Sequence, residues 1–332
     1  MAAATSAVVL GAGEAALRRI WGFGTPALYE WSKDYEYRMV PDQSVMRFGK
    51  TIRTNSLGMR GPGFAAPRAD PSELRILVVG DSVVNGGSHV DESQLGTAVL
   101  QSLLDRQLSR PVRVMNVSAN SWGPPNQLAW LRINGTFGAD IVIVVASSHD
   151  LVDLPLHMAE AKAADGQVFN APWCALSEVA GLAWARSGLA GTSGVEAPPP
   201  DEGDAASAAE GRAAFEEMLE LLKGSAPHVM VALHWDRDEQ AAGTPRPAHD
   251  TLAAAAAAHA VPVADLGPGF IAAAKDPAGY VGADDIGYLA QPLRVMQDRI
   301  HPSEFGQYVL GNELFRMLER SGWYADVIRP GR

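Results

Sequence analysis

Four short apolar runs constrain the fold of this chain more than any other feature: 75–80 (RILVVG), 112–118 (VRVMNVS), 139–147 (ADIVIVVAS) and 228–235 (HVMVALHW), with a weaker fifth at 261–265 (VPVAD). They are rich in β-branched residues and show no clean in-out alternation, which is the pattern of strands covered on both faces. Helical segments are expected at 93–109, 124–137, 208–223, 248–260 and 303–321. Strands alternating with helices predict an α/β fold, a three-layer α/β/α sandwich on a mainly parallel, roughly five-stranded sheet.

The rest of the chain is read around that sheet. Residues 1–71 precede it as a helical segment followed by a turn-rich arm. An amphipathic helix, or two broken ones, is expected over 14–34, packing Trp21, Phe23, Leu28 and Trp31 on the body. Short strands and ordered loops suit 35–71. The main domain, 72–332, carries two stretches without regular periodicity, at about 151–207 and 266–297, both read as surface insertions. The early VVLGAG offers one short strand candidate without a full glycine pattern or a following βαβ unit, so no dinucleotide site is assigned.

Composition narrows the class of function. The chain has 332 residues, 47% of them hydrophobic and 20% charged, enough for a sizeable core and incompatible with general disorder. A net charge of -11 gives nucleic acid no general electrostatic reason to bind. Cys174 stands alone, so an internal disulfide and thiolate metal clusters are excluded. The amino-terminal apolar run at 7–12 stops at Gly13 and Glu14 and lacks a basic leader. The expectation is therefore a cytoplasmic chain with no integral membrane segment.

The chemistry comes from residues far apart in sequence. The first strand runs into Gly80-Asp81-Ser82, placing a hydroxyl at the carboxyl end of a parallel strand, where open α/β sheets bind ligands. Asp298-Arg299-Ile300-His301-Pro302 precedes the last helix. A serine needs an imidazole to take its proton, and the imidazole needs a carboxylate to fix its tautomer, so Ser82, His301 and Asp298 form a complete nucleophile, base and orienter. The oxyanion needs donors. The Ser82 N–H, the Gly123 N–H, where a missing side chain would let substrate approach, and a ring N–H of His149 are the candidates. His234 follows the fourth strand on the same edge and is read as a pocket-lining candidate, while His234 and Asp236 alone do not specify a metal. Trp122 and Trp173 could stack on a sugar or acyl group, although anchoring of loops is the more ordinary role for both. No metal or other cofactor is assigned.

These blocks resemble the GDSL or SGNH family of serine hydrolases, in the order Gly80-Asp81-Ser82, Gly123, Ser147-Ser148-His149-Asp150 and Asp298-Arg299-Ile300-His301-Pro302. The resemblance covers roughly 72–320 and implies a flavodoxin-like SGNH hydrolase fold, a Ser82, Asp298, His301 triad, and an oxyanion hole at Ser82, Gly123 and the position of His149. The third block departs from the family's Gly-x-Asn-Asp, having Ser147 and His149 instead of glycine and asparagine. Asp81, Trp122, Asp150 and His234 are candidates for substrate contact. Tyr37, Pro41 and the run from Thr54 to Gly61 resemble the segment before the serine block in a bacterial subgroup associated with polysaccharide or glycan ester modification, with Asn55 and Arg60 expected to pin the arm.

The resulting expectation is a serine esterase acting through an acyl-enzyme on a carboxylic ester, such as an O-acetyl group on a carbohydrate or small molecule. The alternatives are an O-acyltransferase that passes the acyl group from Ser82 to a hydroxyl acceptor, and a catalytically silent carbohydrate-binding protein.

Overall fold

The computed structural model describes residues 2–155, 168–186, 205–281 and 293–328. Every residue of Leu74–Gly80 (β5) and of Ile141–Ser147 (β7) is buried, as continuous apolar strands demand. β5 pairs in parallel with Val112–Ser118 (β6) on one side and with β7 on the other. The sheet continues in parallel to His228–His234 (β8) and then Val263–Asp265 (β9). Its order is β6-β5-β7-β8-β9, a flavodoxin-like arrangement whose strand order reverses between β5 and β7. The expected parallel five-stranded sheet between helical layers is what the chain forms.

Alternate strand residues feed two cores. Leu77, Val79, Val142 and Val144 join one with Pro124–Asn134 (α4), Ala205–Ser225 (α6) and Pro247–Ala258 (α8). Ile76, Val78, Ile143 and Val145 join the other with Gly96–Gln107 (α3), Gly267–Lys275 (α9) and Glu304–Arg320 (α11). Burying each large apolar side chain contributes about 1.5–3 kcal/mol. The stretch from 266 is therefore not simply a surface insertion: Phe270 of α9 is fully buried in the second core, before the short Pro277–Tyr280 helix (α10). Parts of both expected insertions lie outside the described residues.

The amino-terminal segment differs from expectation. Ala2–Ala16 (α1) is helical straight through VVLGAG, and one wider turn, Leu17–Trp21, ends it. Gly22 stops the helix in a left-handed conformation, φ 74°, and a Cβ there would lie 1.9 Å from the Met46 carbonyl oxygen. No side-chain residue fits that turn. Instead of a second helix, Tyr29–Ser32 (β1) pairs with Glu36–Met39 (β2), and Ser44–Arg47 (β3) pairs with Lys50–Arg53 (β4). Trp31 stacks on Phe169 at 4.0 Å, whereas Trp21 is exposed rather than packed. The arm covers the first core through Tyr29, Tyr37, Met39, Ile52 and Met59. Among the described residues, no helix is long and apolar enough to cross a membrane.

Candidate active site

Ser82 owes its position to a very tight strand-to-helix turn. Gly80 closes β5, where a Cβ would come within 2.5 Å of Val84 Cγ2. Asp81 caps the short helix Ser82–Asn85 (α2), accepting from the Val83 N–H at 2.8 Å. Three buried amides hold α2 from beneath: Asn116 donates to the Val84 carbonyl at 3.0 Å, Asn85 to the Ser118 carbonyl at 3.2 Å, and Gln307 to the Val83 carbonyl at 2.6 Å. Sequence reasoning missed all three. Nothing local marks an amide whose partner lies up to 224 residues away.

The segment 294–303 brings the other two residues over this turn. An isolated bridge joins Met296 to Pro302, the Gln297 N–H donates to the His301 carbonyl at 2.8 Å, and the Arg237 N–H, opening Arg237–Ala242 (α7), donates to the Arg299 carbonyl at 2.8 Å. Asp298 Oδ1 accepts from the Ile300 and His301 N–H groups at 2.9 and 2.8 Å. Its Oδ2 lies 2.8 Å from His301 Nδ1, and His301 Nε2 lies 2.9 Å from Ser82 Oγ. With the ring proton on Nδ1, the Nε2 lone pair faces the serine hydroxyl. Partial burial works to raise the Asp298 pKa, but bonds from the His301 ring and from backbone N–H groups outweigh it and bring it to about 2. The carboxylate is thus charged at neutral pH.

His149 commits one of its two ring nitrogens to a contact that its position in the third block does not suggest. Its Nε2–H donates to Asp81 Oδ2 at 3.0 Å and lies 3.6 Å from Asp150 Oδ1. Desolvation opposes the charged ring, but Asp150, Asp81 and Asp153 prevail, raising the His149 pKa to about 10. The ring is an imidazolium whose Nε2 proton is committed to Asp81. Desolvation likewise pushes Asp81 upward, yet His149 and the Val83 N–H hold it below the ordinary aspartate value. Asp150 is shifted the other way, well above that value, by desolvation and by the charge of Asp81. The three groups bring candidate ligand atoms within 4.8 Å of one another.

Gly123 caps α4, and the reason for a glycine is not substrate access. A Cβ there would lie 1.7 Å from the Asp153 carbonyl oxygen, so the chain following β7 occupies the space a side chain would need.

The four candidates for substrate contact are all buried. Asp81 is taken by α2 and His149, and Asp150 Oδ2 accepts from the Ser147 N–H at 2.7 Å. Trp122 donates its indole N–H to the Tyr37 carbonyl at 3.0 Å, fastening the arm. His234 is fully buried at the end of β8 with Nε2 3.4 Å from the Ile300 carbonyl. Desolvation dominates and lowers its pKa to about 4, so it stays neutral beneath the His301 segment. Each serves the frame of the site.

The amino-terminal motif serves the frame as well. Arg60 is fully buried, pairing with Glu92 at 2.9 Å and donating to the carbonyls of Asn85, Gly87 and Val90 at 2.9, 2.8 and 3.2 Å. It ties the arm to the turn after α2. Asn55 Oδ1 closes its own loop by accepting from Leu57 and Met59 N–H groups. Tyr37 donates its hydroxyl to the Asn120 carbonyl at 2.8 Å.

No family model matches the sequence, and no curated protein matches it. Among solved structures, the chain is similar to a member of the lipolytic G-D-S-L family from Veillonella parvula DSM 2008, with 14% identity over 75% of this chain and 100% of that one and a TM-score of 0.42. It is also similar to a catalytic mutant of Axe2, an acetylxylan esterase from Geobacillus stearothermophilus, with 14% identity, coverage of 73% and 93%, and a TM-score of 0.45. A third is LAE5, an alpha/beta hydrolase enzyme from the metagenome of Lake Arreo, Spain, with 15% identity, coverage of 73% and 94%, and a TM-score of 0.42. Likenesses this distant carry no chemistry, and the reading of the site rests on its own distances.

Proposed function

We propose that this chain is a serine esterase that hydrolyses a carboxylic ester through an acyl-enzyme on Ser82. One observation carries the reading: Ser82 Oγ, His301 and Asp298 form an unbroken hydrogen-bonded series, 2.9 and 2.8 Å, at the carboxyl edge of a parallel sheet. As Ser82 Oγ attacks the ester carbonyl carbon, its proton passes to His301 Nε2, and Asp298 stabilises the resulting imidazolium. The Ser82 and Gly123 N–H groups, at the starts of α2 and α4, are the proposed donors to the carbonyl oxygen as it gains charge. The tetrahedral intermediate collapses, the C–O bond to the alcohol breaks, and His301 returns the proton to the leaving oxygen. Water then gives its proton to His301 while attacking the acyl carbon, and the carboxylic acid departs as Ser82 regains its hydrogen.

His149 acts in this scheme through Asp81. Asp81 Oδ2 lies 3.5 Å from Ser82 Oγ, and an uncompensated anion there would repel the oxyanion. The His149 charge cancels it. The test is intact-protein mass after mixing with a serine-reactive phosphonate. One adduct is expected on the native chain and none on Ser82→Ala; an unlabelled, folded native chain overturns the proposal. Adding alcohol or sugar acceptors to a turnover assay with an activated acyl ester distinguishes hydrolysis, expected here, from transfer, which would yield more new ester than acid.

A further inference from the structure

The exposed apolar surface of this chain is concentrated in one place. Of the twelve large hydrophobic residues exposed among the described ones, ten lie on α1 and its final turn, on the β3–β4 hairpin, and on or just before the helix Ala175–Arg186 (α5). Patches of that kind mark interaction sites. The three pieces are fastened together. The Glu14 carboxylate of α1 accepts from the first N–H groups of α5, those of Ala175 and Leu176, at 2.9 and 3.0 Å. Arg47 of β3 pairs with Glu178 of α5, and the Phe48 N–H donates to the Trp21 carbonyl at 2.8 Å.

The form of α1 decides what covers this surface. Residues 6–12 are all exposed, seven in succession and hence about two helical turns, so no one face of that stretch is covered by the body. Its large side chains, Val8, Val9 and Leu10, are 71%, 64% and 58% exposed and, being consecutive, point in three directions about 100° apart. A protein groove takes up one stripe of a helix, whereas hydrocarbon surrounds it. Trp21 and Trp173, the latter 91% exposed, have the half-apolar, half-polar rings that favour a lipid-water boundary, and the exposed Arg19 beside Trp21 offers a cation to headgroup phosphates. At 15 residues, α1 is about 22 Å long, short of a hydrocarbon core of about 30 Å.

We propose that this face docks on a phospholipid bilayer, with the exposed end of α1 inserted among the acyl chains of one leaflet and Trp21 and Trp173 as anchors at the boundary. The docking does not depend on the esterase reading. It has a consequence for that reading, because a cavity of about 560 Å³ lies between this face and the turn after the nucleophile, with Phe48 and Leu182 on one wall and Asn85 and Gly87 on another.

The test is flotation of the full chain with phosphatidylcholine vesicles in 0.5 M salt, beside Val9→Glu and Trp173→Ala. The native chain is expected to float, Val9→Glu to partition roughly ten-fold less, and Trp173→Ala to show an intermediate loss. Tryptophan emission of the native chain should shift to the blue and be quenched by brominated lipid, with the quenching reduced in Trp173→Ala. Unchanged melting temperatures in both variants confine the effect to the surface. A native chain left in the soluble fraction overturns the proposal, as does flotation indifferent to both substitutions. A dimer in sedimentation that Val9→Glu dissolves, without vesicle binding, also overturns it and assigns the face to a second copy.

Discussion

Two imidazole-carboxylate pairs flank Ser82, and their chemistry is opposite. His301 and Asp298 are 42% and 52% exposed in their side chains and sit on a loop. His149 and Asp81 are 8% and 1% exposed and sit at the ends of buried strands. In the open pair the ring bonds one carboxylate, Asp298, and its far nitrogen faces the Ser82 hydroxyl. The closed pair sits among three carboxylates, Asp81, Asp150 and Asp153, that hold the ring charged to about pH 10. In the proposed mechanism, similar functional groups thus serve as a proton carrier on one side of Ser82 and a fixed countercharge on the other. The number of carboxylates around each ring and the access of water make the difference.

The sharpest way to break this contrast is at the open pair. In Asp298→Asn, the amide donates to Nδ1, which forces the ring proton onto Nε2 and removes the acceptor for the serine proton. Turnover should fall on the order of 10³–10⁴-fold. The melting temperature should scarcely move, since an exposed pair contributes little to stability. A mild kinetic loss would show that Asp298 does not set the tautomer.

The closed pair should respond in the reverse order. His149→Asn restores the residue that the family resemblance places in the third block, yet it leaves Asp81 and Asp150 buried side by side without a cation. Breaking a buried ion pair in this way costs about 3–5 kcal/mol, measurable by urea unfolding, and turnover should fall with it rather than recover. The pH dependence carries the sign. The folded-state pKa of His149 is raised from 6.5 to about 10, so its stabilisation is complete below about pH 6.5 and is lost as pH rises toward 10. The native chain should lose stability across that window, and His149→Asn should lose much less. Equal slopes would mean that the ring is neutral in the folded protein.

The same contrast explains what was legible in the sequence. The strands could be read because burial on both faces leaves an unbroken apolar run. Ser82, Asp298 and His301 could be read because each sits in a compact motif whose neighbours make the local turn: Asp298 bonds residues only two and three positions on. The role of His149 could not, because its partner Asp81 is 68 residues away and both side chains commonly serve other ends. The reason for a glycine at 123 could not be read either, since the group that excludes a side chain there is the carbonyl of Asp153, thirty positions later in the numbering. The helix through VVLGAG was obscured because small and β-branched residues in a short run suit either state, and α1 has no buried stripe to reveal its period.

Trp122 provides the finest test of the line between frame and reacting site. A tryptophan in the loop before Gly123 invites a stacking role toward substrate, but its ring is 2% exposed, with the Tyr35 ring edge-on 6.0 Å away. Its one polar group is satisfied by the Tyr37 carbonyl. Trp122→Phe keeps most of the apolar contact and removes that bond, leaving a buried carbonyl without its indole donor. The expected cost is about 1–3 kcal/mol in unfolding free energy, with KM for an activated ester unchanged at temperatures where the variant is fully folded. A frame residue moves the melting curve, whereas a stacking residue raises KM while the melting curve stays in place. The second pattern would require the arm to open during turnover, exposing a ring that the folded chain holds under Tyr35 and Tyr37.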